Sequence, residues 1–241
     1  MSDFIFAEAY VLEPSITRSY YESFSKGFVH KINNQIGIIQ GFASLVQYED
    51  NIPESIKEAI DQIQSATAAT SAVNQAALIA SGCSAVDQGQ VDLAAMNHFL
   101  KEKCEGIAAE ANVPLQFDFR EGVPLVQGDT RHLSNIIEHL VRNAVEAAKE
   151  IDGGTVAVDA FAPGEASESG HVDLFIRNSS AELSADQISK SFEPFESTKG
   201  SDHFGLGLTI SAVLANDMKM RLGLRYAEET TTAWLAMPVA A

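Results

Sequence analysis

The residues of this chain best suited to chemistry lie between positions 30 and 43, where a histidine is followed by a pair of asparagines. His30 and Asn34 are four residues apart, so both side chains would lie on one face of a helix. An exposed imidazole can attack a phosphoryl group, and a neighbouring carboxamide can orient an incoming water or oxygen. A surface histidine without a chemical role is the ordinary alternative for such a residue taken alone.

A long helix must hold this pair. Apolar residues recur at steps of three and four from about residue 15 to residue 46, which predicts one apolar stripe. His30 stands two residues from both Phe28 and Ile32, so it is expected to project off the stripe toward solvent. The stripe comprises Phe24, Phe28, Ile32, Ile36, Ile39, Phe42 and Val46.

A second apolar stripe, from Ile56 to Ala77, predicts a second helix of about 30 residues. Asn51 and Glu54 are expected to cap its start, and Gly82 to end it. Two long helices joined by a short loop form an antiparallel hairpin, which is assigned here to residues 1–82. Because a hairpin alone cannot bury both sides of its apolar stripes, we expect a homodimer built around a four-helix bundle.

The pattern changes after a small, polar linker over residues 81–89. Helical and alternating segments then predict an α+β domain over residues 90–241, with helices packed on one mixed sheet. The predicted helices are 91–112, 129–150 and 206–218. The predicted strands are 113–119, 155–161, 171–178, 221–226 and 231–237.

Composition limits the choice of function. The 241 residues include 33 acidic and 16 basic side chains, and the net charge of −17 disfavours general binding to nucleic acid or to an anionic membrane surface. A basic partner surface or a ligand shielded by Mg²⁺ stays compatible with this charge. Cys83 and Cys104 form neither a disulfide framework nor a metal cluster and indicate reduced thiols. Residues 1–15 do not resemble a secretory signal, and no apolar stretch approaches about 20 residues, so we expect a cytoplasmic protein.

The segment around His30 resembles the phosphoacceptor helix of bacterial sensor histidine kinases. That helix reads His-acidic-x-Asn-Asn-Pro-Leu and continues to a pair of glycine and an aromatic residue, and the positions that match are His30, Asn33, Asn34, Gly41 and Phe42. The resemblance implies that His30 is phosphorylated and that Asn34 positions water when a response regulator is dephosphorylated. Lys31 departs from the family, which carries an acidic general base there. Because a cation cannot accept the imidazole proton, phosphorylation of His30 by ATP is expected to be slow.

Further along, the chain resembles the ATP-binding domain of histidine kinases, gyrase and Hsp90, an α/β sandwich of the Bergerat type. The run 140–148 resembles its asparagine box, which implies that Asn143 binds Mg²⁺ held by the nucleotide phosphates. The run 192–199 resembles its phenylalanine box and ends on Lys199. Gly205 and Gly207 then open a helix, whose first backbone N–H groups suit a phosphate.

The adenine box of this resemblance is altered. Where the family has Asp-x-Gly-x-Gly, this chain has Asn178, Ser180 and Glu182. Asn178 can accept one hydrogen bond from adenine, but without the charge that roughly doubles the strength of such a bond. Glu182 adds a carboxylate where an anionic nucleotide would lie. Binding of ATP and Mg²⁺ is therefore left open.

Three functions fit these residues. The first is a histidine phosphotransferase on a kinase scaffold, which exchanges a phosphoryl group on His30 with the aspartate of a response-regulator receiver domain and receives it from an upstream hybrid kinase. The second is an ATP-dependent histidine kinase, or a bifunctional kinase and phosphatase, supported by Asn143, Lys199, Gly205 and Gly207. The third is a non-catalytic regulator that binds a receiver domain or a kinase.

Overall fold

The structure is a computed structural model that describes residues 3–7, 16–47, 52–81, 83, 86–120, 122–167, 170–196 and 205–240, without the side chains of 16–23, 72 and 80. The chain divides into two compact units. One unit is Val11–Ser84, and the other combines Met1–Tyr10 with Ala85–Ala241. Within the described ranges, no helix has both the length and the apolar character that crossing a membrane requires.

The unit Val11–Ser84 is a helical hairpin of α1 (Ile16–Gln47) and α2 (Glu54–Ala80). The buried apolar side chains described in the hairpin are Val29, Ile36, Ala43 and Ile60. Two hydrogen bonds cross the hairpin: Gln64 Nε2 donates to Gln47 Oε1, and Asn74 Nδ2 donates to Asn33 Oδ1, both at 3.0 Å. Asn74 is 9% exposed, so this second bond satisfies a buried polar group and fixes how the two helices align.

The start of α2 differs from the expected cap. Its N-cap is Pro53, which makes no side-chain hydrogen bond, while Asn51 and the expected end at Gly82 lie outside the described residues. The φ of −60° at Pro53 suits the approach to a helix, and its carbonyl accepts from the N–H groups of Ile56 and Lys57. The helix therefore begins on the backbone of Pro53, and the expected pairing of Asn51 with Glu54 falls outside the described residues.

The second unit contains eight described strands and four described helices. They are β1 (Ile5–Phe6), β2 (Gly89–Val91), α3 (Leu93–Ala111), β3 (Leu115–Phe119), β4 (Val126–Gly128), α4 (Thr130–Lys149), β5 (Val156–Phe161), β6 (Val172–Ser179), α5 (Ala185–Lys190), α6 (Gly207–Asp217), β7 (Arg221–Ala227) and β8 (Thr230–Met237). Six strands form a mixed sheet in the order β1-β7-β8-β6-β5-β3, and β2 pairs with β4 in a smaller sheet. The strands β3 and β5 run parallel, and all other pairs are antiparallel. The predicted α+β architecture with one mixed sheet is confirmed.

The main core lies between the sheet and α4. This helix is strongly amphipathic, with Leu133, Ile136 and Ile137 fully buried, and β5 alternates buried and half-buried residues. Burial of each such side chain stabilises the fold by about 1.5–3 kcal/mol. The N-cap of α4 is Asp129, whose carboxylate accepts from the backbone N–H groups of Arg131 and His132. Burial alone would raise the pKa of Asp129, but these backbone N–H groups and that of Asp87 lower it below its ordinary value.

Several short elements were missed at the sequence level. The predicted helix 91–112 begins later, at Leu93, because Asp92 is its N-cap and Gly89–Val91 pairs with β4. The end of the linker 81–89 therefore lies in a strand. The six-residue helix α5 carries a capping box between Ser184 and Gln187 that had also been overlooked.

The outer face of the sheet carries an aromatic cluster to which β1 contributes. The ring centroid of Trp234 lies 5.2 Å from that of Phe4 and 5.5 Å from that of Phe6. Trp234 Nε1 donates to the buried carboxylate of Asp173 at 2.8 Å. Because β1 pairs with β7, residues 1–10 group with the C-terminal unit, which corrects the assignment of residues 1–82 to the hairpin.

Replacement of Phe6 should test this cluster. Phe6 lies opposite Gly223, where an added Cβ would come within 3.0 Å of its ring. Phe6→Ala should lower the free energy of unfolding by about 2 kcal/mol, since it removes a half-buried ring and leaves space beside Trp234. The measurement is urea denaturation of the full chain. Phe99→Ala, at a ring that is 50% exposed, should cost much less, and equal losses for both variants would contradict the packing role of β1.

Candidate functional site

The side chain of His30 is exposed on α1, next to the buried Val29 that anchors this turn against α2. Asn34 is also exposed, and its Nδ2 lies 3.4 Å from Nδ1 of His30. The structure thus brings the two predicted residues together on one face of one helix. Lys31 follows His30 with an exposed side chain, so no carboxylate is adjacent in sequence. This arrangement offers a solvent-facing nucleophile beside an amide.

The surroundings of His30 leave room for a partner surface. Added Cβ atoms at Gly27, Gly37 and Gly41 would meet no atom within 4 Å. The side chain of Ile38 is 51% exposed one turn beyond Asn34. Within the hairpin, the side of α1 around His30 is therefore open.

The predicted magnesium ligand, Asn143, is half-buried on α4, one turn after His139. Burial lowers the pKa of His139 below its ordinary value, so this ring is neutral at neutral pH. Its Nδ1 is buried and has no hydrogen-bond partner among the described residues. His139 therefore provides no positive charge that could attract a nucleotide to the surface around Asn143.

Asn178 lies near the end of β6 and is 5% exposed. Its Nδ2 donates to the carbonyl of Ser179 at 2.9 Å, which leaves Oδ1 as the atom able to accept from adenine. Ser180, at a position where the family has glycine, is 7% exposed, and its hydroxyl lies 2.7 Å from that of Thr231. The two hydroxyls hydrogen-bond to each other. The backbone at this position is therefore held by a side-chain contact that a glycine could not make. The side chain of Glu182 is exposed, and water weakens its repulsion of a nucleotide.

Gly205 and Gly207 have different structural roles. Gly205 has a φ of +60°, and an added Cβ would lie 2.5 Å from the carbonyl oxygen of Glu196. Its own carbonyl accepts from the N–H of Phe195 at 3.0 Å, and Phe195 also has a positive φ, of 66°. Gly207 is the first residue of α6, and an added Cβ there would meet no atom within 4 Å. Gly205 is therefore required by the fold, whereas Gly207 leaves open space at a helix N-terminus.

The rest of the phenylalanine box divides between core and surface. Phe192 is buried, and its carbonyl accepts from the hydroxyl of Thr209 at 3.0 Å, which ties the box to α6. Phe195 is 65% exposed. Lys199 lies outside the described residues. The closure between Phe195 and Gly205 was missed at the sequence level, because a positive φ at a phenylalanine leaves no residue-type signal.

Comparisons with known proteins agree with this architecture. Residues 128–241 match the family described as histidine kinase-, DNA gyrase B- and HSP90-like ATPase. Among curated proteins, no sequence matches the chain. Solved structures do match: full-length ShkA in complex with AMPPNP is 19% identical, with a TM-score of 0.74 over 91% of this chain. The chain spans 46% of the length of that protein.

Two other solved structures show the same fold. The histidine kinase AdeS from Acinetobacter baumannii is 14% identical, with a TM-score of 0.58 over 88% of this chain and 98% of its own. The histidine kinase ThkA, solved in complex with the response regulator protein TrrA, is 19% identical, with a TM-score of 0.59 over 90% of this chain and 61% of its own. At these identities the likeness is one of fold.

Alanine substitutions should separate the two glycines. Gly205→Ala should lower the free energy of unfolding by about 1–3 kcal/mol, because it forces a left-handed backbone and a clash with Glu196. Gly207→Ala should leave stability unchanged or raise it by up to about 1 kcal/mol, since the position is helical and open. Chemical denaturation measures both. A loss at Gly207 as large as that at Gly205 would contradict the distinction.

Proposed function

We propose a phosphotransfer function for this chain, whose residues 128–241 match the histidine kinase-, DNA gyrase B- and HSP90-like ATPase family. The protein carries a phosphoryl group on His30 and exchanges it with the aspartate of a response-regulator receiver domain. It is thus a histidine phosphotransferase built on a kinase scaffold. The observation that carries this proposal is the exposed contact between His30 and Asn34, with Lys31 in place of an acid.

The transfer depends mainly on positioning. α1 holds the imidazole in a fixed, solvent-facing place, where a docked receiver domain can align its aspartyl phosphate in line with a ring nitrogen. The nitrogen–phosphorus bond forms as the bond between phosphorus and the aspartyl oxygen breaks, and the aspartate leaves as a carboxylate. In the reverse direction, Asn34 can orient a water or the accepting oxygen. These steps need no nucleotide.

The family match supports a second function, an ATP-dependent histidine kinase. ShkA was solved with AMPPNP. The motif resemblance implies that in this chain Asn143 would hold Mg²⁺, Asn178 would bind adenine, and Lys199, Gly205 and Gly207 would bind the phosphates. The described residues fit this nucleotide in part, because the open space at Gly207 suits a phosphate. The Ser180 and Thr231 hydroxyl pair and the absent acid after His30 favour the phosphotransferase.

A receiver domain is the proposed partner. ThkA, of the same fold, was solved with a response regulator, and the surface around His30 is open. The net charge of −17 makes nucleic acid and anionic membranes poor partners. An upstream hybrid kinase as the phosphoryl source, and a cytoplasmic location, belong to the same proposal.

We also propose that the hairpin forms a homodimer through a four-helix bundle. Phe42 is 66% exposed, and together with Ile39 and Val46 it lines an apolar groove that reaches Ile60 and Ile63 of α2. Nearer the N-terminus of α1, the rings of Phe24 and Phe28 stack with their centroids 5.8 Å apart, and both side chains are more than half exposed. A continuous apolar stripe of this kind on a surface helix is typical of an interface.

Transfer of label tests the main proposal. A panel of receiver domains phosphorylated with ³²P-labelled acetyl phosphate should pass label to the wild-type chain and not to His30→Ala. The control is Gln35→Ala, an exposed amide beside the pair, which should accept label like wild type. Titration with Mg-ATP by calorimetry runs alongside. Label on both the wild type and His30→Ala would refute His30 as the acceptor, label on neither would favour the non-catalytic regulator, and tight ATP binding with label from ATP on His30 would favour the kinase.

Disruption of the stripe tests the dimer. Phe42→Asp places a charge in the groove and should shift the mass measured by light scattering after gel filtration from dimer to monomer. Ser65→Asp adds the same charge on the opposite side of α2 and should remain dimeric. A wild-type protein that is monomeric at micromolar concentration would contradict the proposal.

A further inference from the structure

The contact between His30 and Asn34 involves one particular ring nitrogen. Asn34 Nδ2 lies 3.4 Å from Nδ1, while Nε2 has no hydrogen-bond partner among the described residues. In a neutral imidazole one nitrogen carries the proton and the other a lone pair. The group that faces Nδ1 therefore decides whether Nε2 offers a proton or a lone pair to the solvent side.

Asn34 is the described side chain in contact with Nδ1, and its Oδ1 can accept a hydrogen bond from Nδ1–H. Lys31, the next residue, and Lys26, one turn before, can only donate hydrogen bonds. Asn33 is turned toward α2, since its Oδ1 accepts from Asn74 Nδ2 at 3.0 Å. The two neighbouring asparagines thus have separate tasks: Asn33 aligns the hairpin, and Asn34 faces the imidazole.

The amide of Asn34 can present either of its ends to the ring. Nδ2 faces Nδ1 in this structure. An amide NH2 can only donate, so a hydrogen bond in this orientation requires Nδ1 to accept, and the proton of the neutral ring is then on Nε2, where it blocks attack on phosphorus. A half-turn about the Cβ–Cγ bond brings Oδ1 to the same place. Nδ1 then donates its proton to Oδ1, and Nε2 presents its lone pair outward.

We propose that Asn34 is a positioning residue that selects the proton-bearing nitrogen of His30, the task that Lys31 cannot perform. The inference rests on the phosphotransfer proposed above. The Nε2 lone pair forms the bond to phosphorus, the electron pair of the broken phosphorus–oxygen bond stays on the aspartate, and the ring proton remains on Nδ1, held by Oδ1. With Nδ2 toward the ring, as in this structure, Asn34 holds His30 in a resting form. The half-turn of the amide converts it into the accepting form.

The test is nitrogen NMR of the full chain labelled with ¹⁵N-histidine, at a pH where titration shows the His30 ring to be neutral. Asn34→Asp replaces the amide by a group that only accepts, so it should raise the fraction of His30 with the proton on Nδ1 by about threefold. Phosphoramidate serves as a small phosphoryl donor in parallel, with phosphohistidine measured by ³¹P NMR. Gln35→Ala, the neighbouring exposed amide, is the matched control and should change neither measurement.

The rates should follow the hydrogen bond. Asn34→Ala should slow phosphorylation of His30 by about tenfold, Asn34→Asp should equal or exceed wild type, and Lys31→Glu in the Asn34→Ala background should restore most of the rate, because a carboxylate again accepts from Nδ1. Unchanged tautomer fractions in Asn34→Asp, or a rate for Asn34→Ala within about twofold of wild type, would overturn the proposal. Failure of the receiver domains to label His30 would instead count against the phosphotransfer function and leave the tautomer measurement intact.

Discussion

The packing of α4 against the sheet is the interaction on which the C-terminal unit depends. Leu133, Ile136 and Ile137 bury one side of this helix completely, and Asp129 caps its first turn. The same helix carries Asn143 on a half-buried side, so the apolar contacts that stabilise the fold also fix the position of a polar side chain. A site on such an element inherits its rigidity from the core and needs few contacts of its own.

The hairpin and the C-terminal unit differ in how far their candidate site residues are exposed and hydrogen-bonded. On α1, the imidazole and its neighbouring amide are exposed and in contact. At the end of β6, by contrast, Asn178 and Ser180 are buried and bonded to groups of the protein itself. Polar groups that are satisfied internally gain little from a new ligand, because each new bond replaces an existing one. This difference supports the proposed chemistry at His30, while Asn178 Oδ1 stays available to a nucleotide.

Elements and exposures that follow from local periodicity could be predicted from the sequence. Features that exist only through contacts with residues distant in sequence could not. His30 is exposed as predicted, although the buried residue of its turn is Val29 and not Phe28, and α4 was placed to within a residue at each end. The two-residue strand β1 has no pattern of its own, since it exists only through its pairing with Leu224 and Gly223. The requirement for glycine at position 205 likewise arises from a loop closure that only the folded backbone reveals.

The pairing of β1 with β7 has a consequence for how the protein comes to be folded. Ile5 and Leu224 are neighbours in the sheet, although about 220 residues separate them in sequence, and the whole hairpin lies between them. During synthesis α1 and α2 emerge and can pair locally long before the strand that β1 needs has left the ribosome. Closing so long a loop is slow compared with hairpin formation. Until β7 and β8 have been synthesised, β1 has no strand to pair with and Phe6 is without the ring of Trp234 to cover it.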